Sequence, residues 1–238
     1  MRNLFQFTTL SKYIKKLENK DTMNFKKIDM DNWDRKEYYN WFTTKNRCKI
    51  NMTMNIDVTK LIGIIKENKF RCYPTFTYIV SKVLNANDEF KMNYDEEGNI
   101  GVYDVVYPRY PIFHESDKKI SILWTEYSDN FKIFYDRFIN DINTYGENRS
   151  MAAKGKFPPN CFDMSSLPWS SFTSFDCPPT HDTVWLPPFV MVGRFFENNE
   201  KFLLPVSVSV HHATCDGYHV SKFFSEFQDL ASNFDNYI

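Results

Sequence analysis

Two adjacent histidines and a carboxylate lie close together near the C-terminal end of the sequence, in the segment 211–217 (His-His-Ala-Thr-Cys-Asp-Gly). Histidine is the side chain best suited to proton transfer near neutral pH, so this segment suggests a general base. Two other chemistries compete: a metal site formed by His212, Asp216 and His219, and a nucleophile at Cys215. The final glycine, Gly217, interrupts the helical register that would bring the metal ligands together. Side chains of neighbouring residues in a turn rarely point at each other, which argues against Cys215 as a nucleophile activated by an adjacent histidine. We favour the general base, with a purely structural turn as the alternative.

Regular secondary structure is predicted on both sides of this segment. Apolar and polar residues alternate over 202–210, which predicts a β-strand. From Tyr218 to Phe234, apolar side chains recur at spacings of three and four, which predicts an α-helix. The two histidines therefore lie where a strand ends and a helix begins. Buried elements can hold a side chain still at such a position.

The rest of the chain alternates predicted strands with predicted helices, without an internal repeat or a Gly/Ser-rich linker. Helices are predicted over 35–43, after Asp57, from about Pro74 and over about 126–144; strands are predicted over 48–56 and near 160–166, 169–176, 187–197 and 201–210, with a hairpin turn at 95–99. Interspersed strands and helices predict one α/β domain, residues 23–238, with a large mixed β-sheet covered by helices.

Composition excludes several classes of protein. With 238 residues, 42% of them hydrophobic, the chain can bury a large core. A net charge of −1 provides no basic field for nucleic acid, and no apolar stretch is long enough to predict a membrane span. The five cysteines show no CxxC or CxxH pairing, which predicts a reduced, cytoplasmic protein without a structural zinc or other metal.

Residues 1–22 differ from the rest of the chain. Five basic and two acidic side chains give this segment a net charge of +3. Its apolar residues fall close to one helical face: Leu4, Phe7, Leu10, Ile14 and Leu17. A basic amphipathic anchor or partner helix is one interpretation. We favour a dispensable N-terminal extension, with the domain beginning at Met23.

The pattern His-His-x-x-x-Asp-Gly resembles the signature of the chloramphenicol acetyltransferase family, which shares its fold with the acyltransferase cores of 2-oxo acid dehydrogenase complexes. Further segments that resemble the family occur in order along the chain, at 32–37, 113–115, 124–127, 145–148, 167–175 and 204–205. The similarity extends from about Met23 to near the C-terminus. It implies the CoA-dependent acyltransferase fold.

The resemblance also implies an activity, namely transfer of the acetyl group of acetyl-CoA to a hydroxyl of chloramphenicol in a ternary complex, which inactivates the antibiotic. His212 would take the proton of the acceptor hydroxyl. Ser165 would donate its hydroxyl to the oxyanion that forms on the thioester. Asp216 would pair with Arg35 and hold the turn, while His211 would be a packed neighbour. The family also implies a homotrimer, in which the histidine of one subunit faces a pocket completed by the next.

Several aromatic and sulfur side chains match positions that line the family's binding sites. Phe42 and Cys48 match the antibiotic pocket, Tyr110 and Phe113 lie in another wall segment, and Trp169 resembles a tryptophan near the coenzyme channel. An apolar, aromatic cleft suits a nitrophenyl ring.

Two departures from the family pattern bear on specificity. Cys177 stands where the family has a pocket leucine, and Met191 stands where a threonine helps to bind an active-site water. We expect Met191 to slow the reaction without affecting the base. The alternatives are an acyltransferase for another hydroxylated acceptor and a non-catalytic homologue that sequesters the drug.

Overall fold

The structure is a computed structural model that describes residues 24–177 and 184–238. The expectations for residues 1–22, and for the domain start at Met23, fall outside the described residues.

Ten strands form two sheets in the described part of the chain. The smaller sheet contains β1 (Phe25–Lys27), β3 (Met92–Tyr94) and β4 (Ile100–Tyr103), in the order β1-β4-β3. The larger sheet contains β2 (Lys49–Asp57), β5 (Tyr107–His114), β6 (Lys119–Trp124), β7 (Cys161–Leu167), β8 (Phe189–Gly193), β9 (Phe196–Asn198) and β10 (Lys201–His211). Its order is β2-β10-β8-β7-β5-β6, with β9 paired to β10. Since β7 is parallel to β5 and β8 while the other pairs are antiparallel, the sheet is mixed, as predicted.

Five α-helices complete the described fold. They are α1 (Lys36–Asn40), α2 (Thr59–Glu67), α3 (Cys72–Asn85), α4 (Phe131–Tyr145) and α5 (Gly217–Ser232). A π-helical turn (Trp41–Lys45) continues α1, and 3₁₀ turns occupy Asp88–Phe90 and Phe234–Tyr237. None of the helices among the described residues is long and apolar enough to cross a membrane.

Strand β10 shows that the two faces of the larger sheet carry different side chains. Val206, Val208 and Val210 are almost completely buried in the main core, together with the apolar faces of α2, α3, α4 and α5. Successive side chains of a strand point to opposite faces, so Ser207 and Ser209 lie on the other face. One face of the sheet therefore holds the helical core, and the other presents polar groups.

The predicted strand over 169–176 is wrong, because this segment crosses the polar face of the sheet without pairing along it. The Phe175 carbonyl oxygen accepts hydrogen bonds from Asn51 Nδ2 (3.0 Å) and Ser207 Oγ (2.7 Å). Gly193 permits the close crossing, since a Cβ atom there would lie 2.9 Å from the Phe172 ring. Side chains of the sheet thus supply the partners that a neighbouring strand would have supplied.

Other boundaries differ by shorter distances. The strand predicted over 187–197 is divided into β8 and β9, and the helix predicted from 126 begins at Phe131 after the N-cap Asn130, whose side chain accepts from the Ile133 N–H. Asp57 does not occupy the N-cap position of α2, which is Val58.

Candidate active site

The histidines lie at the end of β10, which pairs with β2 on one side and β8 on the other. His211 is the last residue of the strand, and the backbone then turns back, with the N–H groups of Thr214 and Cys215 both donating to the His211 carbonyl at 3.1 Å. Helix α5 begins directly afterwards with Asp216 at its N-cap. We call residues 211–217 the histidine turn.

The imidazole of His212 is held in one tautomer. Its Nδ1 lies 3.0 Å from the Cys215 carbonyl oxygen and 3.2 Å from Asp216 Oδ1, and both of these atoms are acceptors. The proton therefore resides on Nδ1, which leaves the lone pair on Nε2 for a substrate proton. The Phe42 ring stacks on the imidazole with centroids 3.9 Å apart and an interplanar angle of 18°. A neutral imidazole with a free Nε2 lone pair has the chemistry that a general base requires.

Arg35 ties the histidine turn to the other end of the chain. Its Nη1 and Nη2 atoms donate to the two Asp216 carboxylate oxygens at 2.6 and 2.8 Å. Its Nε and Nη2 atoms also donate to the carbonyl oxygens of Ala213 (2.9 Å) and His212 (3.0 Å). The Arg35 hydrogen bonds hold the pKa of the Asp216 carboxyl below its ordinary value. The planar guanidinium group of Arg35 thus fixes both the Asp216 side chain and the backbone of the histidine turn.

His211 occupies a different environment from its neighbour. Its side chain is buried, and its Nδ1 accepts the Ala213 N–H at 3.1 Å. Burial, assisted by the nearby charge of Lys49, lowers the pKa of His211 to about 4. The structure therefore places His211 as a neutral, packed residue.

Ser165 lies on β7, within a cleft that is separate from the histidine turn. Within the described residues, its hydroxyl has no hydrogen-bond partner. The cleft has a volume of about 480 Å³, and we call it the serine cleft. Its lining consists of Tyr73, Pro111, Ile112, Phe113, Ile120, Ser165, Ser166, Leu167, Pro168, Trp169, Phe175 and Met191. Phe113 and Trp169 meet edge to face at 4.7 Å, and both rings are exposed.

Tyr110 is not part of that cleft. Its ring is completely buried and stacks on Phe138 of α4 at 4.2 Å, and its hydroxyl is 2.7 Å from Thr125 Oγ1. The side chain points to the helical face of the sheet, opposite to the face that carries Ser165. The structure thus places Tyr110 in the core and not in a pocket wall, because alternation along β5 assigns it to the inner face.

Tyr73 is a cleft residue that the sequence analysis missed. Its hydroxyl is buried in the cleft lining without a hydrogen-bond partner among the described residues, and burial raises its pKa above the ordinary value. A tyrosine within an apolar helical pattern gives no signal of this kind, because the pattern is equally typical of a core residue.

The two remaining candidate residues are the cysteines Cys48 and Cys177. Cys48 is half-buried and accepts the His212 N–H on its carbonyl oxygen at 3.1 Å, so it lies beside the histidine turn, as Phe42 does. Burial raises the pKa of the Cys48 thiol. Cys177 is exposed at the end of the segment that crosses the sheet.

The strand register separates the two regions widely. Ser165 is paired with Met191 on β8, and Met191 is paired with Ser207 on β10, five residues before His212. At about 3.3 Å per residue and about 4.8 Å between strands, the Cα atoms of Ser165 and His212 lie about 19 Å apart. The two side chains therefore do not meet within one subunit.

A metal site in the histidine turn has no support from the geometry. His219 Nδ1 accepts the Asp216 N–H at 2.9 Å, which occupies the lone pair that a metal would need. Across residues 24–177 and 184–238, no group of three or more His, Cys, Asp or Glu side chains could hold a metal ion.

Comparison with known proteins identifies the family. The sequence model of the chloramphenicol acetyltransferase family matches residues 23–228, most of the chain. The chain belongs to the chloramphenicol acetyltransferase family. Similar family members include the chloramphenicol acetyltransferases of Clostridium perfringens, 40% identical over 91% of this chain and 99% of the relative, and of Vibrio anguillarum, 37% identical over 90% and 98%. The resemblance seen in the sequence is thereby confirmed.

Solved structures confirm the fold. A chloramphenicol acetyltransferase structure superimposes with a TM-score of 0.80 at 22% identity, covering 87% of this chain and all of the other. The dihydrolipoamide acetyltransferase of Azotobacter vinelandii superimposes with a TM-score of 0.62 at 14% identity, covering 79% and 83%. A mixed sheet with helices, shared by this family and the CoA-dependent acyltransferases, is thus the architecture of this chain.

Proposed function

We propose that this protein transfers the acetyl group of acetyl-CoA to a hydroxyl of chloramphenicol and so confers antibiotic resistance. Family membership supports the reaction. The observation that carries the mechanism is the contact of His212 Nδ1 with the Cys215 carbonyl oxygen, which leaves Nε2 free to act as the base. The free cysteines among the described residues are consistent with action in the cytoplasm.

The reaction transfers one proton to His212 and then passes it on to the leaving group. His212 Nε2 takes the proton of the acceptor hydroxyl as its oxygen attacks the thioester carbonyl carbon. The carbon–sulfur bond then breaks, and the leaving thiolate receives the proton that the imidazolium holds. No acetyl group is attached to the protein, because the two substrates react directly in a ternary complex.

Ser165 would stabilise the negative charge that develops on the thioester oxygen. Its hydroxyl has no hydrogen-bond partner among the described residues, so no contact within the described chain has to break before it donates. Because Ser165 and His212 lie about 19 Å apart within one subunit, we infer that the His212 of one subunit faces the serine cleft of a neighbour. A homotrimer provides three such sites through one repeated, head-to-tail interface.

The aromatic residues of the two regions would then enclose the ligands from both sides. Phe42 and Cys48, beside the base, and Phe113, in the serine cleft, would contact the nitrophenyl acceptor, with Cys177 at the rim. Trp169, whose ring is 55% exposed, would contact the coenzyme.

A thiol-release assay tests the reaction directly. Purified protein is mixed with acetyl-CoA and chloramphenicol, and the free thiol of CoA is measured by its absorbance change with a chromogenic disulfide reagent. We expect thiol release that depends on chloramphenicol. Tight chloramphenicol binding without thiol release would instead support the drug-sequestering alternative.

A panel of hydroxylated acceptors tests the substrate. Cys177 and Met191 depart from the family pattern, which is the reason to test the second candidate, an acyltransferase for another hydroxylated acceptor. We expect the highest kcat/KM with chloramphenicol. A much better alternative acceptor would overturn that assignment but leave the chemistry of acetyl transfer intact.

Mixed assemblies test the shared site. Subunits that carry His212→Ala and subunits that carry Ser165→Ala are co-expressed with different tags and purified as hybrids. If each site takes its histidine and serine from different subunits, every purified hybrid trimer has one intact site of its three, so about one third of the wild-type activity is restored. If both residues belonged to one subunit's site, the hybrids would show no gain over the separate variants.

A further inference from the structure

His219 is the third residue of helix α5, and it contacts the histidine turn through the backbone of Asp216. Its Nδ1 accepts the backbone N–H of Asp216 at 2.9 Å. Its Nε2 lies 3.5 Å from Glu89 Oε1, on the 3₁₀ turn between α3 and β3. The side chain is 18% exposed. His219 therefore joins the start of α5 to a separate element of the fold.

The donor and acceptor chemistry of these contacts defines the tautomer of His219. A backbone N–H can only donate, so Nδ1 must carry the lone pair and the ring proton must reside on Nε2. The carboxylate of Glu89 favours a proton at that position. His212 has the opposite tautomer, with its proton on Nδ1.

His219 occupies the third position of a capping box in which glutamate or glutamine is the usual residue. The side chain at this position normally reaches back to the N-cap N–H through a carboxylate or amide oxygen. Here the N-cap is Asp216, the residue whose carboxylate binds Arg35 and borders His212 Nδ1. Asp216 is therefore both the N-cap of helix α5 and a residue that holds His212 in place.

The charged and titratable groups around His219 come from three elements. Glu89 approaches Nε2, the Asp216 carboxylate lies 4.0 Å from Nδ1, and Arg35 binds the far side of that carboxylate. Cys215 directs its thiol to the Glu89 carbonyl oxygen at 3.5 Å, which adds a second link between the turn and the same 3₁₀ segment.

We propose that His219 is a positioning residue for His212: by accepting the Asp216 N–H it fixes the N-cap, and through the Asp216 carboxylate and its Arg35 partner it fixes the imidazole. The kinetic part of this proposal rests on the proposed acetyl transfer. The tautomers of the two histidines, by contrast, can be measured without any substrate.

Nuclear magnetic resonance of protein labelled with ¹⁵N-histidine tests the proposal without reference to activity. Long-range ¹H–¹⁵N correlations distinguish the two neutral tautomers. In the wild type we expect His219 protonated on Nε2 and His212 on Nδ1, and in His219→Ala we expect His212 to populate both tautomers. An Nδ1-protonated His219, or an unchanged His212 signal in the variant, would overturn the proposal even if the protein proved to have another activity.

Kinetics of two variants at the same position separate positioning from folding. His219→Ala removes the acceptor, and we expect kcat to fall about tenfold to a hundredfold with KM nearly unchanged, because a small misplacement of a catalytic group lowers the rate strongly. His219→Gln supplies an amide oxygen at the third capping-box position, and we expect it to restore kcat to within about threefold of the wild type.

Asn130→Ala provides a matched control, since it removes the N-cap acceptor of α4 at a distance from the turn. We expect this variant to lower Tm about as much as His219→Ala does, while kcat stays unchanged. Equal losses of kcat in His219→Gln and His219→Ala, or in Asn130→Ala and His219→Ala, would contradict a positioning role. If His219→Ala does not fold, the His219→Gln kinetics and the wild-type tautomers decide.

Discussion

The histidine turn and the serine cleft differ in how many of their polar groups have hydrogen-bond partners within the chain. In the turn, His212 Nδ1, the His212 N–H, the Asp216 carboxylate and three carbonyl oxygens (His212, Ala213 and Cys215) all have hydrogen-bond partners within the chain. In the cleft, the hydroxyls of Ser165 and Tyr73 have none among the described residues. The His212 imidazole is therefore oriented before any ligand arrives, whereas the cleft presents polar groups that a ligand or a neighbour can satisfy.

This difference has a physical reason. A histidine general base acts through one lone pair, and rotation of its ring removes that lone pair from the reacting proton, so the role proposed for His212 requires a turn with many contacts. An oxyanion donor is most effective when its hydrogen bond forms only as charge develops, so the proposed role of Ser165 requires a free hydroxyl. The rigid histidine turn and the unpaired hydroxyls of the serine cleft are both consistent with the proposed acetyl transfer.

The largest effect is expected from His212→Ala, which removes the base from an otherwise intact turn. We expect acetyl transfer to fall by about four orders of magnitude, since His211, the neighbouring imidazole, already uses its Nδ1 lone pair to accept the Ala213 N–H. Chloramphenicol affinity, measured by calorimetric titration, should stay close to that of the wild type. Retained turnover would remove His212 as the base and with it the contrast between the two regions.

Ser165→Ala tests the cleft in the same assay. We expect kcat to fall about a hundredfold to a thousandfold, or about 3–4 kcal/mol, with little change in KM, because the hydroxyl acts on charge that exists only in the transition state. Equal losses in rate and in ligand binding would show that the serine contacts the ground state instead.

Arg35→Lys keeps the positive charge but removes the fork that reaches Asp216 and two carbonyl oxygens. We expect a loss of about 2 kcal/mol in the free energy of unfolding and about a tenfold lower kcat, because at least two charged hydrogen bonds are lost. Denaturant unfolding and thiol release measure the two effects. Arg149→Lys, at an exposed ion pair, is the matched control and should change neither. A neutral Arg35→Lys would mean that the turn is rigid without the guanidinium.

Met191→Thr addresses the composition of the cleft. Met191 is paired with Ser165 and lines the same cavity, so a threonine hydroxyl there can bind a water that the thioether excludes. We expect kcat to rise by about twofold to tenfold, with the protein's stability reduced because the side chain is buried. An unchanged or lower kcat would show that hydration at this position does not limit the rate.

Deletion of residues 1–22 should have the smallest effect, since both regions are built from residues that follow Met23. We expect kcat, KM and the oligomeric state from light scattering to match those of the full chain within about twofold. A monomeric or inactive product would show that the extension takes part in assembly and that its dispensability was wrongly predicted.

Local patterns predicted most of the elements near the site. Alternation over 202–210 and the helical spacing after Tyr218 correctly placed the histidines between β10 and α5. The roles of Arg35 and Ser165, however, came from the resemblance to a family and not from spacing, since each lies far in sequence from the turn. The 169–176 segment was wrongly predicted as a strand, because its partners are side chains of Asn51 and Ser207 rather than a neighbouring strand.

The sequence by itself determined what depends on neighbours along the chain: the alternation that buries Val206 and Val208 and the strand–turn–helix order around His212. The tertiary structure decided what depends on strand pairing and on contacts between distant segments. It oriented the Nδ1 proton of His212, turned Tyr110 into the core, and placed Ser165 about 19 Å from His212. Strand register and packing establish these relations, and neither is encoded in the spacing of residues along one strand.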